Sequence, residues 1–213
     1  MVAEAAAEAA VGRGDRYVQT STSKERDIMT IAIIVGVVVA LLLFGVYAFN
    51  RLRRADIGAQ EALGGIDVQL TRRADLIPNL VNTVQGYATH ERAVFDEVTA
   101  ARAGVASAAK GGSVEDRAAA QDRLDKDIVN VLAVAEAYPD LKASANFQAL
   151  QTELAETENK ISFARQYYND AVATLNNLVK TIPWMFFTGV AGVNAREFYD
   201  APEGQQTPPT VQF

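Results

Sequence analysis

The sequence predicts an all-α protein in which a single N-terminal transmembrane helix continues into an elongated antiparallel bundle of three or four long helices. Three observations predict this class: one long uncharged apolar run, apolar residues at helical spacing through most of residues 55–182, and no alternating β-branched stretches bounded by turn residues. An irregular tail rich in aromatic residues and proline is expected to follow. The expected segments are a leader (1–28), a transmembrane helix (29–50), a helical bundle (51–182) and the tail (183–213).

The transmembrane prediction rests on residues 29–49, which carry no charge and are followed at once by the basic segment 51–54. A helix rises about 1.5 Å per residue, so this run reaches roughly the 30 Å of a bilayer's hydrocarbon core. A cleaved signal peptide has a shorter apolar stretch, with its basic residues on the other side. A buried core helix rarely lacks polar groups on every face. A membrane span is therefore the better interpretation.

The leader, residues 1–28, is alanine-rich and then polar without an apolar face, which is typical of a disordered segment. Met29 directly precedes the apolar run and is therefore a second candidate for the start of translation. By the positive-inside rule, Lys24 and Arg26 nearly balance the basic segment 51–54 in the full chain, whereas a start at Met29 leaves that segment unopposed. We therefore expect a single-pass plasma-membrane protein with a cytoplasmic helical domain.

The first helix is expected to run on from the membrane span and to kink or break close to Pro78, because proline lacks the N–H that a helix interior needs. Apolar residues at helical spacing then resume as far as about Ala103, and the small residues at 104–112 are predicted to form a linker. Ser113 precedes acidic residues and is predicted to be the N-cap of the next helix, which residues 138–140 (Tyr-Pro-Asp) should end.

The last long helix has the most regular pattern in the chain, and Asn146 is predicted to cap its N-terminus. Its apolar positions alternate four and three residues apart, as in a coiled-coil seam that faces the bundle core. The seam consists of Leu150, Leu154, Thr157, Ile161, Ala164, Tyr168, Ala171, Leu175, Leu178 and Ile182. Pro183 stops the helix. Glu153, Glu156, Glu158, Lys160 and Arg165 are expected to form a solvated face.

Composition argues against several function classes. The net charge is −6 and no Lys/Arg run resembles a nucleic-acid-binding surface, so nucleic acid is not an expected partner. The chain has no cysteine and one histidine, whereas most zinc, di-iron and acid–base sites need more imidazole or thiolate groups. His90 and Glu91 would point in different directions on a helix, so a packing or capping role is expected for this histidine. We expect no cofactor, no metal and no catalytic residue.

A polar cluster at residues 69–79, from Gln69 to Asn79, interrupts the apolar stripe of the first helix. One interpretation makes Arg72 and Arg73 a clamp for a phosphate or carboxylate, because arginine offers paired donors in a fixed geometry. The preferred interpretation is structural: Asp67 or Asp75 pairs with an arginine, and an asparagine satisfies carbonyls freed by the proline. The candidate ligand or partner contacts here are Arg72, Arg73, Asp75 and Asn79.

The tail opens with a dense aromatic cluster, Trp184–Phe187, and ends in a proline-rich segment. The preferred interpretation has the tail folding back over the end of the bundle. In the alternative, the large aromatic side chains enter the lipid headgroup region or a partner's groove, where such side chains are favoured. The candidate contacts here are Trp184, Phe186 and Phe187.

Several segments together resemble the LemA family of bacterial membrane proteins. They are residues 66–81 (IDVQLTRRADLIPNLV), 86–87, 90–91, 136–143 (EAYPDLKA), individual positions between 154 and 172, and the closing 209–213. Order and spacing agree over residues 45–213, while the leader is longer and residues 184–190 are bulkier than the family pattern. The resemblance implies a single-pass helical-bundle membrane protein connected with membrane-associated assembly, and it implies no particular reaction.

The favoured hypothesis is a membrane-anchored scaffold or adaptor without catalytic activity, which binds partner proteins or organises the membrane locally. The first alternative is a ligand-responsive sensor or enzyme that uses residues 69–79, and it requires a pocket of several hundred Å³ there. The second alternative is a lipid-remodelling protein that acts through the Trp184–Phe187 cluster. The expected partners are the lipid bilayer and unidentified membrane or membrane-associated proteins, with a second copy of the chain (a homo-oligomer) as a further candidate.

Overall fold

The computed structural model describes the backbone of residues 2–199 and the side chains of residues 26–199. Within this part of the chain every regular element is helical, which confirms the all-α prediction. The helices are α1 (Val2–Gln85), α2 (Arg92–Ala109), α3 (Val114–Glu136), α4 (Pro139–Lys142), α5 (Ala145–Lys180) and α6 (Thr188–Ala191), with a 3₁₀ turn at Trp184–Phe187. The proline-rich end of the predicted tail lies outside the described residues.

Residues 1–51 form a unit of their own, which consists of the first part of α1. In the Arg26–Gln85 portion of this helix, an 18-residue window reaches a mean hydropathy of 2.9, and none of that window is buried. Buried positions in soluble proteins normally take up such apolar side chains, but Leu41, Leu42 and Leu43 are all exposed. In the described part of the chain, α1 is the helix that is long and apolar enough to cross a membrane.

The backbone of α1 is helical from Val2, whereas the sequence predicts a disordered leader over residues 1–28. Alanine has the highest helix propensity of the natural residues, and six of the first ten residues are alanine, which accounts for this difference. The boundary between the leader and the apolar run is therefore not marked by a change in backbone conformation.

The second unit, Leu52–Phe213, contains four long helical segments in its described part: α1 from Leu52 onward, α2, α3 and α5. Ion pairs between the segments show their relative directions. Asp67 of α1 pairs with Arg117 of α3, and Arg73, one and a half turns later in α1, pairs with Asp125, two turns later in α3. Both helices advance together, so α1 and α3 run parallel.

The direction of α5 is opposite to that of α1. Arg73 of α1 pairs with Glu158 in the first half of α5. Asp56, which lies earlier in α1, pairs with Arg196, whose backbone is bound by Asn176 near the end of α5. A short link joins α2 to α3, and helices joined in this way are antiparallel neighbours. The four segments therefore alternate in direction, which confirms the predicted antiparallel bundle.

The predicted break at Pro78 is wrong, because α1 continues through this proline to Gln85. Pro78 has no N–H to donate to the carbonyl of Ala74, four residues earlier. The guanidinium Nε of Arg102 on α2 donates to that carbonyl oxygen at 3.0 Å. A side chain from a neighbouring helix therefore replaces the missing backbone hydrogen bond, while buried apolar residues on both sides of the proline hold α1 against the core.

We expect Arg102→Ala to lower the free energy of unfolding by about 1–2 kcal/mol, because the Ala74 carbonyl loses its charged donor. In a Pro78→Ala background the restored N–H can donate to the same carbonyl, so the effect of Arg102→Ala should shrink. Urea unfolding of the full chain in a non-ionic detergent, followed by circular dichroism, measures the four proteins of this double-mutant cycle. Asp75→Ala is the control, since it removes only the exposed Arg102–Asp75 ion pair. An equal loss of stability from Arg102→Ala in the wild-type and Pro78→Ala backgrounds would contradict the idea that Arg102 replaces the hydrogen bond that Pro78 lacks.

The helical backbone of the bundle is first interrupted at residues 86–91 rather than at Pro78. His90 is exposed in this turn and lies on no helix, so the expected packing role is wrong. The N-cap of α2 is Glu91 and not this histidine. The helix α2 extends to Ala109, beyond the predicted end at Ala103, because its last turns are rich in alanine and bury Val105 against the core. The predicted linker at 104–112 shrinks accordingly to the few residues before Ser113.

Ser113 is the N-cap of α3, as predicted. Its hydroxyl accepts from the Asp116 backbone N–H at 3.0 Å, and the Asp116 carboxylate accepts from the Ser113 N–H at 2.8 Å, which is a reciprocal capping box. This backbone hydrogen bond is the main reason that the pKa of Asp116 lies below its ordinary value. The cap predicted at Asn146 is wrong: α5 begins at Ala145, because the N–H of Gln148 already bonds the carbonyl of Ser144.

The seam of α5 faces the core over most of its length, as predicted. Its buried members are Leu154, Thr157, Ile161, Tyr168, Leu175 and Leu178. The prediction is wrong at Ile182, which is 72% exposed because α5 ends at Lys180 and the seam ends with it. Glu153, Glu156 and Lys160 are exposed, as expected.

Candidate functional site, a charged layer inside the bundle

The candidate site is a layer of charged and polar side chains between α1, α3 and α5. Its central residue is Arg73, which is only 7% exposed. The Arg73 Nη1 lies 2.6 Å from Oδ1 of Asp125 on α3 and also forms an ion pair with Glu158 on α5. One guanidinium is therefore shared by two carboxylates from two other helices. Removing such charges from water is costly unless they are paired, so the three residues depend on one another.

Asp125 is the titratable member of this layer. Burial raises its pKa to about 6, with Arg73 opposing the rise and the Glu158 carboxylate adding to it. A carboxyl group with this pKa exchanges its proton in mildly acidic solution, whereas an ordinary aspartate is ionised there. The charge inside the bundle therefore depends on pH near neutrality.

Aromatic and amide groups continue the layer. Gln121 of α3 is fully buried, and its Oε1 accepts a hydrogen bond from the Tyr199 hydroxyl at 3.2 Å. Burial raises the pKa of Tyr199 to about 12, so its phenol remains a neutral donor at physiological pH. The Arg165 guanidinium lies 5.2 Å from the centroid of the Tyr199 ring, within the range of a cation–π interaction. Tyr168 meets the same ring edge-to-face at 6.4 Å.

A second buried arginine, Arg117, closes the layer at the start of α3. Its Nε donates to Oδ1 of Asp67 at 2.7 Å and its Nη2 to Oδ2 of the same carboxylate at 3.2 Å, so the pair is bidentate. The same guanidinium donates to the carbonyl of Gly112. Arg117 therefore ties α1 both to α3 and to the link that precedes α3.

The structure separates the residues of the predicted polar cluster. Of the four candidate contacts Arg72, Arg73, Asp75 and Asn79, only Arg73 enters the charged layer, and the other three are exposed. Asp75 lies 3.6 Å from Arg102. Asp67 and Asp75 thus both pair with arginines, as the structural interpretation expects, but the arginines come from other helices. The carbonyl freed by Pro78 is satisfied by Arg102 and not by Asn79.

Three cavities in the described part of the chain lie away from this cluster. A cavity of about 490 Å³ is lined by Val114, Glu115, Ala118, Glu197 and Phe198, and shallower grooves lie beside α5 and between residues 91 and 138. None of them is lined by residues 69–79. Over the described part of the chain, no group of three His, Asp or Glu side chains is placed to hold a metal ion.

The segment that follows α6 lies extended along α5 and is held there by two asparagines. The Asn176 amide donates to the Arg196 carbonyl and accepts from the Arg196 N–H, both at 2.9 Å. The Asn169 amide does the same with Tyr199, at 3.1 and 2.8 Å. Seven helical residues span about 10.5 Å, and three extended residues span about 10 Å. This match allows two helical side chains to imitate the hydrogen-bonding edge of a β-strand.

The aromatic cluster at Trp184–Phe187 divides between two environments. Trp184 and Phe187 are half-buried and pack against the core, in agreement with a tail that covers the end of the bundle. Met185 is 44% exposed and Phe186 is 70% exposed on the other side of the same turn. The candidate contacts in this cluster therefore do not form one surface.

The sequence alone does not single out most of the polar residues that build the layer and hold the tail. On α5 these residues share one position, because each directly follows a seam residue. They are Glu158 after Thr157, Arg165 after Ala164, Asn169 after Tyr168 and Asn176 after Leu175. A residue one step past the seam lies about 100° around the helix, at the edge of the buried face. The signal was therefore present, although Glu158 and Arg165 were assigned to a solvated face.

Comparison with known proteins gives a family for this arrangement. The sequence model described as "LemA family" matches residues 62–213, which contain α2 to α6, the end of α1 and the whole charged layer. The chain belongs to the LemA family. The family resemblance of the sequence is thus confirmed over most of the chain.

Relatives of this LemA-family chain include two magnetosome proteins. Magnetosome protein MamQ of Magnetospirillum gryphiswaldense is 23% identical over 173 residues, covering 70% of this chain and 64% of the relative. Magnetosome protein MamQ 2 of Paramagnetospirillum magneticum is 23% identical over 194 residues, covering 80% of this chain and 71% of the relative. The chain therefore spans less than two thirds of the first relative's length.

The charged layer makes the stability of this LemA-family protein depend on pH. The pKa of Asp125 is raised in the folded state, so the folded state binds its proton more tightly than the unfolded state does. The resulting stabilisation is complete below the unfolded pKa and is lost as the pH rises through about 6. We expect the free energy of unfolding to increase by about 1 kcal/mol from pH 7 to pH 5.

Urea unfolding in a non-ionic detergent at the two pH values measures this change. Asp125→Asn should remove it, while Asp75→Asn, at an exposed position, is the matched control and should leave it in place. If the free energy of unfolding of Asp125→Asn changed with pH as it does in the wild-type protein, the change could not be assigned to Asp125.

Proposed function

We propose that this LemA-family protein is a single-pass membrane-anchored scaffold whose helical bundle binds membrane-associated proteins on its outer face. Its action in this proposal is binding and not catalysis. The unburied apolar helix supports the anchor, and the commitment of Arg73 to internal ion pairs argues against a ligand clamp. The MamQ relatives are named for a cellular structure, the magnetosome, rather than for a reaction, which also favours a role in assembly.

The observation that carries the proposal is an aromatic pair on the outer face of α5. Phe163 is 72% exposed and Tyr167, one turn later, is 67% exposed. Tyr167 borders a groove of about 300 Å³ between α1 and α5, whose other lining residues are Ala55, Gly58, Asp170, Ala171 and Thr174. Exposed aromatic side chains beside a groove of small residues provide a surface into which a ridge of another helix can pack.

The alternative of a ligand-responsive sensor or enzyme at residues 69–79 has less support. That alternative needs a pocket lined by the polar cluster, whereas Arg73 is paired inside the bundle and Arg72, Asp75 and Asn79 point to solvent. The three cavities described above are lined by other residues. A scaffold instead needs an exposed surface, which Phe163 and Tyr167 provide on the outer face of α5.

The groove can be filled without disturbing the core. A Cβ added at Gly58 meets no atom within 4 Å, and the same holds for Gly64, further along the same helix and outside the groove. Gly58→Leu therefore fills the groove, and Gly64→Leu is the matched control. A photo-crosslinking amino acid in place of Phe163, in the full chain and in its native membrane, reports what contacts this face.

A discrete protein adduct that forms with the Gly64→Leu chain and is lost with the Gly58→Leu chain is the expected result. An adduct with a second copy of the chain would replace the membrane-associated partner by a homo-oligomer and so overturn the choice of partner. No adduct, or one that Gly58→Leu leaves unchanged, would overturn the proposed binding face.

We further propose that the anchor lies in the plasma membrane with the bundle in the cytoplasm, because three basic residues (Arg51, Arg53 and Arg54) directly follow the apolar run and two (Lys24 and Arg26) directly precede it. The chain has no cysteine, so a single Glu153→Cys substitution on the exposed face of α5 gives a unique label site. A membrane-impermeant maleimide should label this cysteine only after cells are broken. Labelling of intact cells would place the bundle outside.

A further inference from the structure

The end of α5 and the turn after it carry an exposed apolar surface, here called the terminal patch. It consists of Ile182, Met185, Phe186 and Val190, which are between 44% and 78% exposed. Their neighbours Trp184 and Phe187 pack against the core. The core contacts hold the turn in place, and the terminal patch therefore remains on the outside of an ordered segment.

The terminal patch lies at the end of the bundle where α1 enters it. Asp56, one turn after Leu52, pairs at 2.8 Å with Arg196, which Asn176 of α5 holds by two backbone hydrogen bonds. The last residues of α5 and the patch lie beyond Asn176 toward that end. Along the chain, Leu52 follows the last residue of the uncharged apolar run, Phe49, by only three positions.

Basic residues lie at the same end of the bundle as the terminal patch. No aspartate or glutamate occurs between residues 171 and 196, whereas Lys180 closes α5. Arg53 and Arg54 are exposed at the same end of the bundle. The acidic Asp56 pairs with Arg196 at 2.8 Å and with Arg53 at 3.8 Å, so its charge is offset by two arginines. An end of the bundle that presents both exposed apolar side chains and basic residues matches the interface of an anionic bilayer, where the apolar groups enter the acyl boundary and the cations meet phosphate.

We propose that the terminal patch is a second, independent contact of this protein with the lipid bilayer, which fixes the bundle against the membrane surface. The inference rests on the proposed membrane anchor but not on the protein-binding groove at Gly58. A second protein is a poorer occupant, since stable protein interfaces use roughly 20–30 residues a side and the terminal patch offers only a few. A bilayer needs no such complementary surface.

Depth-dependent fluorescence quenching in proteoliposomes tests this contact. Single cysteines replace Phe186 in the patch and Phe163 on the outer face of α5, two positions of nearly equal exposure at 70% and 72%. Each cysteine carries an NBD label in vesicles of phosphatidylcholine and phosphatidylglycerol. We expect doxyl-labelled lipid to quench the label at 186 about threefold or more above the label at 163, with aqueous iodide showing the reverse order.

A third label at Leu42→Cys, inside the apolar run, separates failure of the terminal patch from failure of the anchor. Lipid quenching at 42 with equal lipid quenching at 186 and 163 would overturn the patch contact and leave the anchor intact. A label at 186 that is protected from both quenchers would mean that protein covers the patch, and would also overturn the patch contact.

A double variant tests whether the patch acts as one surface. In a Val190→Cys chain, the added substitution Phe186→Ser should then reduce lipid quenching at 190.

Discussion

Replacing Arg73 by alanine is expected to lower the free energy of unfolding by about 3–5 kcal/mol at pH 7. The substitution leaves the carboxylates of Asp125 and Glu158 facing each other without the guanidinium that both now share. Arg72→Ala is the matched control, because Arg72 is the exposed neighbour on the same helix, and it should change stability by no more than about 0.5 kcal/mol. Urea unfolding of the full chain in a non-ionic detergent compares the two variants.

The Arg73→Ala variant should also have a distinctive pH dependence. Arg73 lowers the pKa of Asp125, so its removal raises that pKa beyond the native value. At pH 5 Asp125 is then protonated in the folded state, and the repulsion between the two carboxylates is relieved. The loss of stability should therefore be smaller at pH 5 than at pH 7. An equal loss at both pH values would contradict the charge-based explanation and favour loss of packing.

The sequence predicts the helical elements well because their apolar stripes are long and regular. It fails at Pro78 because the prediction considered only the hydrogen bond that proline removes. The replacement donor, Arg102, lies on another helix, and nothing in local sequence pairs it with the Ala74 carbonyl. A proline therefore predicts a helix break only where no tertiary contact supplies the missing donor.

The burial of Arg73, the central residue of the charged layer, was predictable from the spacing of apolar residues in α1. Residues 66, 70, 73, 77, 80 and 84 of α1 alternate four and three apart, and all are buried, so Arg73 occupies a core position and Arg72 does not. Its carboxylate partners carried a weaker signal, since Asp125 and Glu158 each directly follow a buried residue. Which acid meets which arginine depends on the register between helices, and the periodicity of one helix does not contain that register.

The α5 seam gives a second large expected effect at Leu175 and a small one at its last residue, Ile182. Leu175 is fully buried, and Leu175→Ala should lower the free energy of unfolding by about 2–5 kcal/mol through lost burial and the cavity that remains. Ile182 continues the same spacing but is exposed beyond the end of the helix, so Ile182→Ala should change stability by no more than about 0.5 kcal/mol. Urea unfolding in a non-ionic detergent distinguishes the two, and a large loss at Ile182 would show that this side chain is covered by protein. Because Ile182 belongs to the terminal patch, we expect Ile182→Ala to change the lipid quenching of a label in the patch rather than the free energy of unfolding.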